Sequence, residues 1–217
     1  ITQNTPFKNV YIPSAGHDAG ISIGAALFAS HSIKKIPRQS TMDSAYLGSR
    51  YSTDEILNFV KKEGLEFEMM DPGPLMEYVS SVLAEGAVVG WMQGRSEFGP
   101  RALGGRSILA DPRRADAKEL LNEKIKRRES FRPFAPSVLK EFVNEYFELS
   151  DPVPFMEKVY PIKPEKRALI PAVTHVDGTG RLQTVDRVAA PRYYALIEAF
   201  RQKTGIPMLL KIGRAHV

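Results

Sequence analysis

The chain has 217 residues, 43% hydrophobic and 25% charged, with no cysteine and a formal net charge of +5. That length bounds one domain, or one domain and a piece of another, and it buries a core without disulfide or metal staples. No apolar run approaches the roughly 20 residues that a membrane span needs, and Ile1-Thr2-Gln3-Asn4 has no signal-peptide pattern, so a cytoplasmic chain that begins in mid-protein, with no membrane partner, is the expectation.

In chain order, Asn9–Ile12 reads as a short strand stopped by Pro13, followed by a small-residue turn from Ser14 to Gly20. Residues 21–29 read as an apolar helix rich in Gly and Ala. A helix over residues 53–62 is capped by Ser52 or Thr53, with Asp54 and Glu55 in its first turn. Residues 65–69 alternate as a strand would. Pro74 opens a helix carrying Leu75, Val79, Val82 and Leu83 on one face and stopped by Gly86. Residues 87–92 are a continuous apolar run, expected as a buried strand with Trp91 as core. Further strands are expected over 107–110, 134–139, 155–159, 172–176, 183–185 and 206–210. Helices are expected over 115–128, 140–149 and 192–203, with Gly205 as a C-cap. The mixture reads as an α/β (α+β) fold with a twisted mixed sheet and flanking helices.

Charge is distributed unevenly. Between Arg95 and Arg132 there are 11 Lys/Arg and 6 Asp/Glu, and 11 − 6 = +5 is the whole excess. Such clustering implies an anionic partner, either a phosphorylated small molecule or a nucleic acid. Within it, Gly94-Arg95-Ser96-Glu97-Phe98-Gly99-Pro100-Arg101-Ala102-Leu103-Gly104-Gly105-Arg106-Ser107 interleaves glycines with arginines. Such a loop can present backbone N–H groups and guanidinium forks to one polyanion. The same composition equally allows a solvated loop with internal ion pairs from Arg95 or Arg101 to Glu97. Lys126 lies near the edge of a buried helix face, and Arg132 lies between aromatics and prolines, where an arginine requires either a bound anion or an internal carboxylate. His175 and Arg181 flank the turn residues Asp177-Gly178 and Thr179-Gly180, a pattern that also suits a plain β-turn. His17 and Asp18 are two metal-capable residues, which do not make a site.

The segments from Gly94 to Ser107 and from Leu121 ("LNEKIKRRESFRPFAPSV"), with "HVDGTGRLQTV" from His175 and "TGIPMLL" from Thr204, resemble the C-terminal domain of the carbamoyltransferase family, which includes nodulation and antibiotic O-carbamoyltransferases. "IPSAGHDAGISIGAAL" from Ile12 is similar to the end of that family's larger Kae1-like (ASKHA) domain. The resemblance implies a remnant of the Kae1-like domain over residues 1–50 and a truncated YrdC/Sua5-like domain over 51–210. It implies an enzyme that converts carbamoyl phosphate and ATP with Mg2+ to carbamoyl adenylate, then passes the carbamoyl group to an acceptor hydroxyl with the help of iron and a second nucleotide in the Kae1-like domain. Arg101, Arg106, Lys126, Arg132, His175 and Arg181 are then the residues for phosphate and carbamoyl binding, with Arg101, Lys126, Arg132 and Arg181 the catalytic set and Asp18 the metal ligand. Residues 211–217, Lys211 to Val217, resemble translated sequencing-adapter sequence and stand where the family continues Asn-Thr-Ser-Phe-Asn, whose serine contributes to the site. They are expected to lie outside the fold, and the chain alone is expected to bind weakly and not to turn over. A homodimer is compatible with this reading. Nucleic acid is not the expected partner, although a double-stranded-RNA-binding module and a threonylcarbamoyl-adenylate synthase-like enzyme are the alternatives.

Overall fold

A computed structural model describes residues 4–213 apart from 9, 39–41, 128 and 130–132, and leaves out the side chains of Lys124 and Lys126. The sequence-expected strand at 9–12 has no counterpart, because residues 10–12 run as irregular chain. Helix α1 (Gly20–Phe28) follows the turn and widens into a π turn at Ala29–Ile33. It buries none of its residues, and Ile21 and Phe28 stand 70% and 62% exposed. Helix α2 (Thr53–Lys62) begins with a full capping box: the Ser52 hydroxyl accepts the Glu55 N–H, and the Glu55 carboxylate accepts the Ser52 N–H. Two otherwise orphaned donors are thereby satisfied. The alternating residues 65–69 form no strand; no neighbouring strand pairs with them, and alternation alone cannot supply a ladder.

Helix α3 (Pro72–Ala84) leads to β1 (Val89–Met92) and β2 (Arg106–Ala110). The expected buried strand is an edge strand in which only Trp91 is fully buried, because β1 has a partner on one side only. Helix α4 (Ala117–Leu120) passes into a π turn at Leu121–Lys126, closed by Arg127 at φ 46°, so the helix expected to 128 ends early. Strand β3 (Ala135–Leu139), α5 (Val143–Tyr146), β4 (Tyr160–Pro161), α6 (Pro164–Arg167), β5 (Thr179–Gly180) and β6 (Gln183–Val185) follow. Residues 140–149 divide into a 3-10 turn (Lys140–Phe142) and the single turn of α5. Residues 155–159 are irregular. Residues 172–176 are a 3-10 turn, Pro171–Val173, and chain beyond it; Pro171 has no N–H for a ladder and its fixed φ opens the turn instead.

Helix α7 (Pro191–Thr204) ends at Gly205 and returns as β7 (Met208–Gly213). The sheet order is β1-β2-β7-β3-β6, antiparallel throughout except for parallel β3 and β6. Residues 211–213, expected outside the fold, complete β7: Lys211 sits opposite Leu109 on one side and Ala135 on the other. The strand does not stop at Leu210 because its neighbours on both sides still offer ladder partners there. The core lies between this sheet and α3 and α7. Tyr193, Leu196, Ile197 and Phe200 make an i, i+3, i+4, i+7 stripe, packed against Met208–Leu210 and against Met76, Val79 and Leu83 of α3. Burying each such side chain contributes roughly 1.5–3 kcal/mol.

Candidate functional site

Met92 and Arg106 face each other at the end of the β1–β2 ladder, so residues 93–105 are the connection of one long hairpin. Glu97 holds that connection closed from inside. Its Oε1 accepts the N–H groups of Leu103, Gly105 and Arg106 at 2.7, 2.8 and 3.3 Å. The internal ion pair considered from the sequence is thus replaced by a charge-assisted backbone clamp. Two glycines are fixed by shape: a Cβ at Gly99 (φ 126°) would lie 2.3 Å from Ser14 O, and one at Gly104 (φ 98°) 2.4 Å from the Tyr193 ring. Along the outer edge Gly48 N–H donates to Ser96 O, Ser96 N–H to Ser49 O and Phe98 N–H to Ala45 O, at 2.7–2.9 Å. Arg95 donates to Gly48 O at 3.0 Å. Arg106 spends its guanidinium on the carbonyls of Gln93, Gly105 and Gly94 at 2.8, 2.8 and 3.2 Å, stapling the base of the loop. Arg101 is left exposed on the clamped loop.

Arg181, distant in sequence, joins Arg101. Its pKa lies below the ordinary arginine value, first through burial and then through the charge of Arg101. Its Nε donates to Met156 O at 2.9 Å. Met156 is buried and holds φ 58°, a conformation that costs a non-glycine residue of order 1 kcal/mol or more and persists only where its surroundings impose it. Lys211 is 3% exposed; its Nζ bonds the Ala102 carbonyl and lies 2.9 Å from Met156 Sδ. Burial pushes the Lys211 ammonium down to about 7, Arg101 and Arg181 push it the same way, and Glu97 opposes them. Three cations therefore converge behind and beside the loop, countered by one carboxylate, of which Oε1 is engaged with backbone.

His175 borders this cluster, its pKa lowered by burial and by Lys118 and Arg181 against the opposing Asp177. The Thr179 hydroxyl donates to Asp177 Oδ1 at 2.7 Å, so His175 Nδ1–H donates to Thr179 Oγ1 at 3.0 Å. That tautomer leaves Nε2 as an acceptor, and Nε2 is buried without a partner among the described residues. Of the sequence-derived residues, Arg101, Arg181 and His175 are thus brought together, and Arg106 is engaged by the loop. Arg132 and the Lys126 side chain lie outside the described residues. Asp18 is exposed in the turn before α1, and among the described residues no group of three His, Asp or Glu side chains assembles to hold a metal. The residues missed from sequence are Lys118, whose signal was one charge among many, Met156, whose backbone conformation no pattern announces, and Lys211, which was set outside the fold.

The chain matches the family model for the carbamoyltransferase C-terminus over residues 80–212. It is 46% identical over 210 residues to nodulation protein NolNO of Sinorhizobium fredii, covering 94% of this chain and 31% of that protein. It is 44% identical to nodulation protein NolO of Bradyrhizobium diazoefficiens, covering 94% and 38%. It is 34% identical to the 3'-hydroxymethylcephem-O-carbamoyltransferase of Amycolatopsis lactamdurans, covering 94% and 37%. The chain spans about a third of the length of these relatives. With its five-stranded mixed sheet and flanking helices, consistent with a YrdC-like domain, the chain belongs to the carbamoyltransferase C-terminus family.

Proposed function

We propose that this chain is the carbamoyl-phosphate-activating segment of an O-carbamoyltransferase that uses ATP with Mg2+. The observation carrying the reading is the convergence of Arg101 and Arg181 on a loop locked by Glu97, in a chain of this family. Both reactants are anions, so a fixed cationic surface is needed to offset their repulsion and the charge developing at phosphorus. In the proposed chemistry water displaces phosphate from carbamoyl phosphate, leaving carbamate. A carbamate oxygen then bonds to the α-phosphorus of ATP as the bond to pyrophosphate breaks. Carbamoyl adenylate and pyrophosphate result, and an acceptor hydroxyl later takes the carbamoyl group with loss of AMP. Arg101 and Arg181 hold phosphoryl oxygens. His175, beside them, takes part in binding the phosphate or carbamoyl group, as the resemblance implies. Lys126 and Arg132 complete the set.

The relative named 3'-hydroxymethylcephem-O-carbamoyltransferase supports a hydroxyl acceptor. The test is pyrophosphate release from ATP by a full-length enzyme carrying this segment, with and without carbamoyl phosphate. Release that requires carbamoyl phosphate and falls at least tenfold in Arg181→Ala is expected. Release that ignores carbamoyl phosphate removes the activation step.

A further inference from the structure

A cavity lies beside the base of the arginine loop, where Gln93, Gly94 and Arg95 line it. It has a volume of about 470 Å³ and lies between residues 46–56, the end of β1 and the start of α7. Arg50, Arg95 and Arg192 line it, and none of its lining residues is an Asp or Glu. It shares no residue with the Arg101–Arg181–His175 cluster. The nearest capping carboxylate, Glu55, is turned back on Ser52, where it accepts both the N–H and the hydroxyl at 2.7 and 2.8 Å. Arg50 and Arg192 are exposed and make no ion pair among the described residues, and Arg95 has one donor on Gly48 O with others remaining. Three arginines around a concave surface without a counter-charge repel one another until an anion joins them.

Two further features point to a ligand. Gln93 lines the cavity with a polar side chain, so the wall carries amide as well as guanidinium groups. The fourteen-residue α7 also opens here with Pro191 and no side-chain cap, so the N–H groups of its first turn add partial positive charge. The remaining wall is apolar or aromatic: Tyr51, Ile56 and Met92.

We propose that this cavity binds a phosphomonoester carrying a flat apolar body, with the phosphate on Arg50, Arg95 and Arg192 and the body against Tyr51, Ile56 and Met92. The volume is in the range of small-ligand sites. The proposal stands independently of carbamoyl phosphate activation, because it uses different residues.

The test is calorimetric titration of this chain with AMP, phenyl phosphate and inorganic phosphate, repeated on Arg50→Ala/Arg192→Ala and on Arg101→Ala/Arg181→Ala. Arg50, Arg101 and Arg192 are exposed and Arg181 is half-buried, and circular dichroism verifies folding of each variant. Phenyl phosphate binding at least tenfold tighter than inorganic phosphate is expected, lost at least tenfold in the Arg50/Arg192 variant and kept within twofold in the Arg101/Arg181 variant, whereas AMP should show a second binding event that disappears in the Arg101/Arg181 variant. Preference for AMP over phenyl phosphate identifies a nucleotide, and the reverse another aryl phosphate. The proposal is overturned by absence of binding by either ester, by equal affinity for inorganic phosphate, or by binding that follows Arg101 and Arg181 instead.

Discussion

Lys211 is a cation buried in the middle of a sheet, and its titration should govern how stability varies with pH. Its ordinary value of 10.5 falls to about 7 in the fold, a difference of 10.5 − 7 = 3.5 pH units, mainly because burial penalises the charged form. Each unit corresponds to 1.36 kcal/mol, so the charged ammonium costs the folded state about 5 kcal/mol below pH 7. The sign follows from proton binding. Between pH 7 and 10.5 the unfolded chain holds the proton and the folded chain sheds it, so stability rises with pH through that window. It levels off above 10.5, where both states are neutral, and below 7, where both are charged. Lys211→Met keeps the length of the side chain and removes the titration, at the cost of the Nζ bond to Ala102 O, roughly 1 kcal/mol. Urea unfolding of both proteins at pH 7.5 and 9.5 isolates the effect, since other titrating groups cancel in the difference. The variant should be the more stable at pH 7.5, and its advantage should shrink by about 3 kcal/mol at pH 9.5. An advantage equal at the two pH values would refute the burial of a titrating lysine at this position.

Two substitutions probe the frame around the site. Gly104→Ala introduces a Cβ at positive φ 2.4 Å from the Tyr193 ring, which is itself packed in the core, and should destabilise the chain by ~3 kcal/mol in the same unfolding assay; a loss below ~1 kcal/mol would mean that the loop does not close on α7 as described. Ser52→Ala removes the hydroxyl half of the capping box and should cost α2 about 1 kcal/mol. Because α2 buries none of its residues, the loss should be read as a roughly fivefold drop in hydrogen-exchange protection confined to α2, with the global unfolding midpoint unmoved.

Much of this arrangement was legible before any coordinates, where one kind of interaction decided the outcome alone. The cap at Ser52 with Glu55 in the first turn, and the helix over 192–203 stopped at Gly205, rest on local signals that leave a direct mark in the residues. The glycine–arginine loop announced itself by composition, and the resemblance carried its family. The misreadings fall where partners distant in sequence decide. Residues 65–69 alternate correctly and yet have no strand to join, β1 reads as buried and lies at the edge, and β7 runs beyond Leu210 because β2 and β3 flank it. For the site, the meeting of Arg101 with Arg181 across 80 residues, the backbone clamp by Glu97 and the cradle formed by Met156 are products of folding that no spacing encodes.

The proposed activation requires Arg101 and Arg181 to act as one anion site. Its most direct test is a double-mutant cycle on carbamoyl phosphate binding to this chain, measured by calorimetry at fixed low salt for the unsubstituted protein, Arg101→Ala, Arg181→Ala and the double variant. Loss of a charged hydrogen-bonding partner is worth about 1.5–3 kcal/mol, so each single change should weaken binding by roughly 10- to 100-fold, and the double should weaken it by less than the product of the two. Binding that is unchanged in both single variants, or losses that multiply as for independent sites, would contradict the account.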